Sequence, residues 1–322
     1  MVGRDPTPGA VVCLGETMAV FACAEAGPPS AGDRYRLDTG GAESNVAIGV
    51  RRLGVPSVWI GRVGDDAYGR MIVRELRAES VDVSGAVVDS SAPTGIMFSY
   101  PRTADLYAVE YRRTASAGSR LCPDDLLPDL IAGAACVHVS GITLGISASA
   151  RAAALEALRV ARAHGVTTSF SVNHRALGWT PETAVEVYRS TLPLVDVLFA
   201  SAIEAELIVG GAGPTEACEL LARLGPREAI VTNGADGAVA HIDGYTHIAA
   251  GNAVTVVDTT GAGDAFVAGY LVARITGDKP LARLNVANRV AAVTAATSGN
   301  WRGTPSRREL DELTNTRDTH SR

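Results

Sequence analysis

The amino-acid sequence predicts an α/β fold in which a mostly parallel sheet is covered by helices on both faces. Strand-like apolar runs alternate with helix-like runs from residue 136 to about residue 232, as consecutive β-α units do. The 322 residues and a hydrophobic content of 47% suit one large packed domain. Because no internal repeat or linker divides the chain, we predict one domain over residues 11–305, with flexible termini at 1–10 and 306–322.

The first third of the chain mixes helices with extended segments that do not fit this alternation. A helix is predicted where apolar residues recur at helical spacing from Val46 to Leu53, and Gly54 ends it. A polar turn at 102–105 separates two strand-like runs. We predict helices at 44–53 and 70–78, and extended segments at 11–14, 19–24, 34–38, 58–63, 94–100 and 106–112.

The remaining elements follow the strand-helix alternation. We predict strands at 136–139, 167–172, 195–200, 229–232, 238–242 and 246–249, and a β-like run at 253–257. Helices are predicted at 148–163, 181–190, 202–209, 215–224, 262–275 and about 280–296.

Composition excludes several classes of protein. The net charge of −6 gives no support for nucleic-acid binding, which leaves a basic footprint. No apolar run approaches the length of a membrane span, and residues 1–10 have no signal-peptide core, so we expect a cytoplasmic protein. The five cysteines are odd in number and lack C-x-x-C spacing, which argues against disulfides and a zinc site. Cys13 and Cys136 lie in apolar runs and are interpreted as core residues.

The most informative motif is the run 258–266, Asp-Thr-Thr-Gly-Ala-Gly-Asp-Ala-Phe, at the start of a predicted helix. Gly261, Ala262 and Gly263 let the backbone approach a ligand, and free N–H groups at a helix start attract an anion. A carboxylate beside such an anion would repel it, so its presence suggests a chemical role. We propose that Asp264 takes the proton from a hydroxyl that attacks phosphorus. The alternative is an ordinary tight turn capped by an Asp.

The spacing of these glycines matches neither the dinucleotide-binding fingerprint nor the Walker loop, so a dehydrogenase is disfavoured. The run instead resembles the C-terminal signature of the ribokinase-like family of carbohydrate and nucleoside kinases. The chain also resembles a second signature of that family at residues 40–47, Gly-Gly-Ala-Glu-Ser-Asn-Val-Ala. The resemblance continues at residues 52–54 and 61–69. The resemblance covers about residues 11 to 300.

The resemblance implies a three-layer α/β/α sandwich with a mostly parallel central sheet and a small β-sheet lid. The lid is expected from segments at about 17–38 and 94–113. In this family such a lid covers the sugar site and often forms part of a dimer interface, so a homodimer through the lid is expected. A lid makes physical sense, because a kinase must keep water from its phosphate donor.

The resemblance also implies ATP and Mg²⁺ as cofactors and assigns roles to particular residues. Asp264 is the expected catalytic base, and backbone N–H groups of Gly261, Ala262 and Gly263 are expected to hold the transferred phosphoryl group. The expected sugar-binding residues are Gly40, Gly41, Asn45, Tyr111, Arg113, Arg175 and Asp264. The expected nucleotide-binding residues are Ser201, Thr232, Gly234, Gly237, Gly261, Gly263 and Asn288. Glu204 is expected to reach Mg²⁺ through water, the alternative being a first-turn Glu at a helix start.

Within the family, the runs around Tyr111–Arg113 and Asn173–Arg175 resemble those of 2-keto-3-deoxygluconate kinases. Two arginines suit the carboxylate of a sugar acid, which a neutral hexose lacks. Ser171 and His174 depart from that subfamily's pattern, and we interpret His174 as filling space. Alternative acceptors are fructose, 2-keto-3-deoxygalactonate or an inositol-pathway keto acid, and a non-catalytic sugar-binding protein is the alternative of another class.

Overall fold

A computed structural model describes residues 9–23, 25, 27–102, 107–175, 179–211 and 213–319 of the chain. The strands are Val11–Leu14 (β1), Met18–Cys23 (β2), Tyr35–Gly40 (β3), Ser57–Gly64 (β4), Asp82–Asp89 (β5), Ile96–Pro101 (β6), Tyr107–Arg112 (β7), Cys136–Ser140 (β8), Thr167–Ser171 (β9), Val197–Ser201 (β10), Glu228–Thr232 (β11), Ala238–Ile242 (β12) and Tyr245–Ala249 (β13). The α-helices are Ala42–Arg52 (α1), Ala67–Ala78 (α2), Pro128–Ala132 (α3), Gly141–Ile146 (α4), Ala148–Ala163 (α5), Pro181–Thr191 (α6), Ala202–Val209 (α7), Pro214–Ala222 (α8), Ala262–Ile275 (α9), Pro280–Ala295 (α10) and Arg307–Thr319 (α11).

The larger of two sheets has nine strands in the order β13-β12-β11-β10-β9-β8-β1-β4-β5. All neighbouring pairs from β11 to β5 are parallel, and β12 and β13 are added antiparallel at one end. Strand order reverses at β1, because the chain continues to β4 on one side and later to β8 on the other. Ligands of open α/β sheets bind at such a switch point, beyond the carboxyl ends of the strands.

Alternation of side chains along β1 shows the three layers. Val11 and Cys13 belong to an apolar core shared with helices α1, α9 and α10, whereas Val12 and Leu14 belong to a second core shared with α5. Strand β1 thus buries both faces, which is why its sequence is continuously apolar. The predicted α/β/α sandwich is therefore confirmed, and Cys13 and Cys136 are core residues as predicted.

The smaller sheet, with strand order β3-β2-β6-β7, is the predicted lid. Val20 of β2 stands beside Asp38 of β3 and Met97 of β6, and Met97 stands beside Tyr111 of β7. Since side chains alternate across a strand, these four residues share the face that lines the main cleft.

One strand was missed in the sequence analysis, and one local expectation was wrong. Strand β5 was not predicted, because its sequence DVSGAVVD mixes polar residues and glycine with a short apolar run and lies at the sheet edge. The β-like run at 253–257 forms no strand, although it has β-prone residues. The Val257 N–H donates to Ala295 O instead of to a strand, and the Val256 side chain is exposed. The motif at 258–266 is thus preceded by an irregular segment.

Within the terminus at 306–322 that the sequence predicts as flexible, residues 307–319 form α11. A capping box begins this helix: the Ser306 N–H donates to the Glu309 carboxylate, and the Glu309 N–H donates to Ser306 Oγ. Leu310 is buried in the core. Residues 1–8 of the predicted N-terminal tail and residues 103–105 of the predicted turn at 102–105 lie outside the described residues. Among the described helices, none has both the length and the apolar character that a membrane crossing requires.

Candidate functional site

A cleft of about 910 Å³ lies between the carboxyl edge of the large sheet and the inner face of the lid. It brings together most of the residues that the sequence predicted. Those that line it are Gly40, Gly41, Asn45, Tyr111, Arg113, Arg175, Ser201, Glu204, Thr232, Gly261, Gly263 and Asp264. Gly234, Gly237, Ala262 and Asn288 do not line it.

Asp264 lies in the first turn of α9, at the floor of this cleft. Its Oδ2 accepts a 2.8 Å hydrogen bond from Asn45 Nδ2, and its Oδ1 lies 3.5 Å from Asn173 Nδ2. Desolvation raises the pKa of Asp264 to about 7, and the buried Glu43 carboxylate adds to this rise, whereas the Asn45 hydrogen bond and the Arg175 charge oppose it. A carboxyl group with this pKa changes protonation state near neutral pH, as an effective general base does.

Asp264 is the predicted general base and accepts a proton only when it is ionised. We therefore expect kcat/KM of the predicted kinase reaction to rise with pH through about 7. Asn45→Ala removes a donor that favours the ionised form, so the acid limb should move to higher pH. Profiles of kcat/KM from about pH 5 to 9 measure this shift. The control is Asn285→Ala, on the exposed face of α10. If the acid limb of the kcat/KM profile does not move in the Asn45 variant, Asp264 is not the group that titrates there.

The turn before Asp264 depends on a left-handed glycine. Gly261 caps α9 with φ 79° and ψ −6°, and its carbonyl accepts the first helical hydrogen bond, from Ala265 N at 2.9 Å. A Cβ at Gly261 would stand 1.6 Å from the carbonyl oxygen of Asn300, whereas a Cβ at Gly263 would enter open space. No side chain caps α9, although the Ala262 N–H donates to Thr259 O at 3.2 Å. This helix start therefore offers the cleft the positive end of its dipole.

Arg113 reaches the cleft, but its charge is already paired. Its guanidinium forms a buried ion pair with Glu16, in which Arg113 Nε donates to Glu16 Oε2 at 2.8 Å. The other carboxylate oxygen of Glu16 accepts from Ser116 Oγ. The Tyr111 ring packs against Arg113, with 5.4 Å between the guanidinium carbon and the ring centroid. Sequence reasoning missed Glu16, whose only signal was an acid directly after an apolar strand.

Arg175 is the other predicted carboxylate-binding residue, and it is placed differently. It follows β9, is exposed to the cleft, and donates from Nη1 to its neighbour His174 O at 2.9 Å. No carboxylate lies within ion-pair distance of it among the described residues. The His174 ring is hydrogen-bonded to the Tyr188 hydroxyl at 3.0 Å and does not line the cleft, in keeping with a space-filling role.

Ser201 and Glu204 form a capping box at the start of α7. The Ser201 N–H donates to Glu204 Oε2 at 2.8 Å, and the Glu204 N–H donates to Ser201 Oγ. The other carboxylate oxygen, Oε1, accepts from the His174 N–H at 2.7 Å. Both oxygens of Glu204 are thus engaged, and no cluster of three metal-ligating residues occurs in the described part of the chain. This donor set fits a hydrated Mg²⁺ held mainly by phosphates, not a metal held directly by protein.

Asn288 is buried in α10. Its Nδ2 donates to the carbonyls of Ala249 and Ala250, at 3.2 and 3.0 Å. The Ala249 carbonyl in turn packs so closely on Gly237 that a Cβ there would stand 2.2 Å from it. Asn288 therefore holds the 249–250 backbone that packs against the 234–237 turn.

Glu43 belongs to the motif at 40–47, and no role was predicted for it from the sequence. It is fully buried, and its Oε1 accepts from Ser140 Oγ at 2.7 Å and from Thr143 Oγ1 at 2.6 Å. Burial raises the pKa of this carboxyl. It joins the start of α1 to the end of β8, at the switch point of the sheet, and so helps to hold Asn45 against Asp264.

Comparison with known proteins agrees with this geometry. The family model described as "pfkB family carbohydrate kinase" matches residues 9–316. A "2-dehydro-3-deoxygluconokinase" from Thermoproteus tenax is 35% identical, with 97% of this chain and 96% of that protein covered. A "Probable fructokinase-7" from Arabidopsis thaliana is 33% identical, with 94% and 92% covered. The crystal structure of a PfkB protein from Polaromonas sp. JS666 has a TM-score of 0.86 and 28% identity, with 95% and 99% covered.

Proposed function

Because the chain belongs to the pfkB family of carbohydrate kinases, we propose that it phosphorylates 2-keto-3-deoxygluconate at the terminal hydroxyl, giving 2-keto-3-deoxy-6-phosphogluconate and ADP. The observation that carries this choice of substrate is Arg175, a cation in the cleft without a carboxylate partner among the described residues. A planar guanidinium binds a carboxylate with two parallel hydrogen bonds. The relative named 2-dehydro-3-deoxygluconokinase supports the same choice.

In the proposed reaction, the terminal hydroxyl of the sugar lies beside Asp264, whose carboxylate takes the proton as the oxygen attacks the γ-phosphorus of ATP. The bond between the γ-phosphorus and the bridging oxygen breaks, and ADP leaves. Negative charge on the transferred group is stabilised by the start of α9 around Gly261 and Gly263. The lid lies over the cleft and limits the access of water.

Magnesium fits this site as a hydrated ion that arrives with the nucleotide. It would neutralise phosphate charge when bound. Glu204 lines the cleft and retains lone pairs for a water of that ion, even though each of its oxygens accepts one protein hydrogen bond.

Arg175→Ala tests the substrate. We expect kcat/KM for 2-keto-3-deoxygluconate to fall about 10- to 100-fold further than kcat/KM for fructose, since hydrogen bonds to charged groups contribute about 1.5–3 kcal/mol. The ratio of the two losses matters, because Arg175 also lowers the pKa of Asp264 and so affects every acceptor. Coupled detection of ADP with a panel of sugars and sugar acids gives both values.

Arg112→Ala is the matched control, because Arg112 is a lid arginine that is largely exposed and pairs with Glu110. It should leave the ratio unchanged. Equal losses on both acceptors in the Arg175 variant would remove the carboxylate argument and favour a neutral sugar such as fructose.

The homodimer through the lid stays a prediction, which sedimentation of the full chain tests.

A further inference from the structure

Residues 299–302, here called the C-terminal bridge, contact the root of the lid on one side. Trp301 Nε1 donates to both the carbonyl and Oγ1 of Thr39, each at 3.1 Å. Asn300 Nδ2 donates to the same Thr39 carbonyl at 3.3 Å. Arg302 forms a two-point ion pair with Asp38, at 2.7 and 3.1 Å. Lid strand β3 is therefore held at consecutive residues where it enters the cleft.

The other side of the bridge contacts the turn that begins α9. The Asn300 carbonyl packs against Gly261 so closely that even a methyl group could not fit between them. The Gly299 N–H donates to Asp258 Oδ2 at 3.2 Å, and the other oxygen of Asp258 accepts from the Thr260 N–H at 2.9 Å. The bridge is therefore in direct contact with the Gly261 turn.

The bridge is itself rigidly held. The Trp301 ring lies between the guanidinium groups of Arg52 and Arg302, each 5.1 Å from its centroid. Arg52 Nη1 also donates to the carbonyls of Trp301 and Arg302. Trp301 is 3% exposed and does not line the cleft, so a ligand cannot touch its indole N–H.

We propose that Trp301 is a positioning residue that links sugar binding under the lid to the geometry of the Gly261 turn. A sugar that orders strand β3 also fixes the turn, through Thr39 and the bridge. The turn then binds the phosphates more tightly, and reciprocally the nucleotide favours sugar binding. This proposal rests on the proposed kinase function for the positions of sugar and phosphate.

Trp301→Phe tests the link, since it keeps a ring between the two arginines and removes only the indole N–H and one ring's volume. Titration calorimetry measures the Kd of a nonhydrolysable ATP analogue with Mg²⁺, with and without saturating sugar. The sugar is the best acceptor found in the panel. We expect the wild type to bind the analogue about tenfold more tightly with sugar, and the variant by less than about twofold.

Trp59→Phe is the matched control. Trp59 is fully buried, and its indole N–H has no hydrogen-bond partner among the described residues, so the variant loses volume but no hydrogen bond. It should keep the wild-type ratio between the Kd of the ATP analogue without sugar and its Kd with sugar. If Trp301→Phe does not fold, the second test variant is Thr39→Val, which removes the Oγ1 that accepts from the Trp301 indole N–H. Thr39 is buried and does not line the cleft, and this variant should also reduce the ratio.

A wild-type ratio of one, a ratio retained in the folded test variant, or an equal loss in Trp59→Phe would overturn the link. A merely structural role would lower the melting temperature and leave the ratio unchanged. The proposed function fails in a different assay, namely when wild-type protein turns over no sugar acid of the panel.

Discussion

Asp264→Asn is expected to lower kcat by about 10²-fold or more while the Kd for sugar stays near the wild-type value. The amide is nearly isosteric and can still hydrogen-bond Asn45 and a sugar hydroxyl, but it cannot take a proton. Steady-state kinetics give kcat, and titration calorimetry gives the sugar affinity. Wild-type turnover by this variant would remove Asp264 from the mechanism.

The same substitution has a second expected effect, on stability. The native pKa of Asp264 is about 7, against 3.8 for the ordinary group, so the native state binds a proton that the unfolded state releases between these values. The wild type therefore loses stability as pH rises through this window, and Asn removes that loss. The melting temperature of the variant should exceed that of the wild type increasingly from about pH 4 to 8. A constant difference would contradict the raised pKa.

Gly261→Ala is expected to cost both stability and activity. A non-glycine residue at φ 79° is strained by about 1–3 kcal/mol, and its Cβ would also collide with the backbone of Asn300. The turn must move, so we expect a lower melting temperature and a loss in kcat of about 10²-fold or more, comparable to the loss of a transition-state donor.

Gly263→Val provides the comparison. Its side chain enters open space at the cleft, so the melting temperature should stay within about a few degrees of wild type while phosphoryl transfer is blocked. Thermal melts and kinetics on both variants separate the two roles. If Gly263→Val has normal kinetics, no phosphate approaches the start of α9, and this turn is merely structural.

Some regular elements were predictable from local residue types. Helices 148–163, 202–209 and 262–275 were predicted with the bounds that the structure shows, because each is a long run of helix-forming apolar residues that glycine or serine flanks. Strand β5 was missed because its polar residues hide the pattern of an edge strand. The run 253–257 was wrongly predicted as β-like, because β propensity alone does not supply a neighbouring strand.

The sequence by itself determined the chemistry that is local to a motif. The glycines around position 261, Asp264 and the Gly40–Asn45 run are short-range patterns, so their residue types already predict a helix start, a candidate base and a close backbone approach. Only the tertiary structure decided how charges far apart in the chain combine. It neutralises Arg113 with Glu16, leaves Arg175 without a carboxylate partner among the described residues, and places Asn300 against Gly261. The reason is that electrostatic pairing and steric contact depend on distance in space, which residue types and spacing along the chain do not encode.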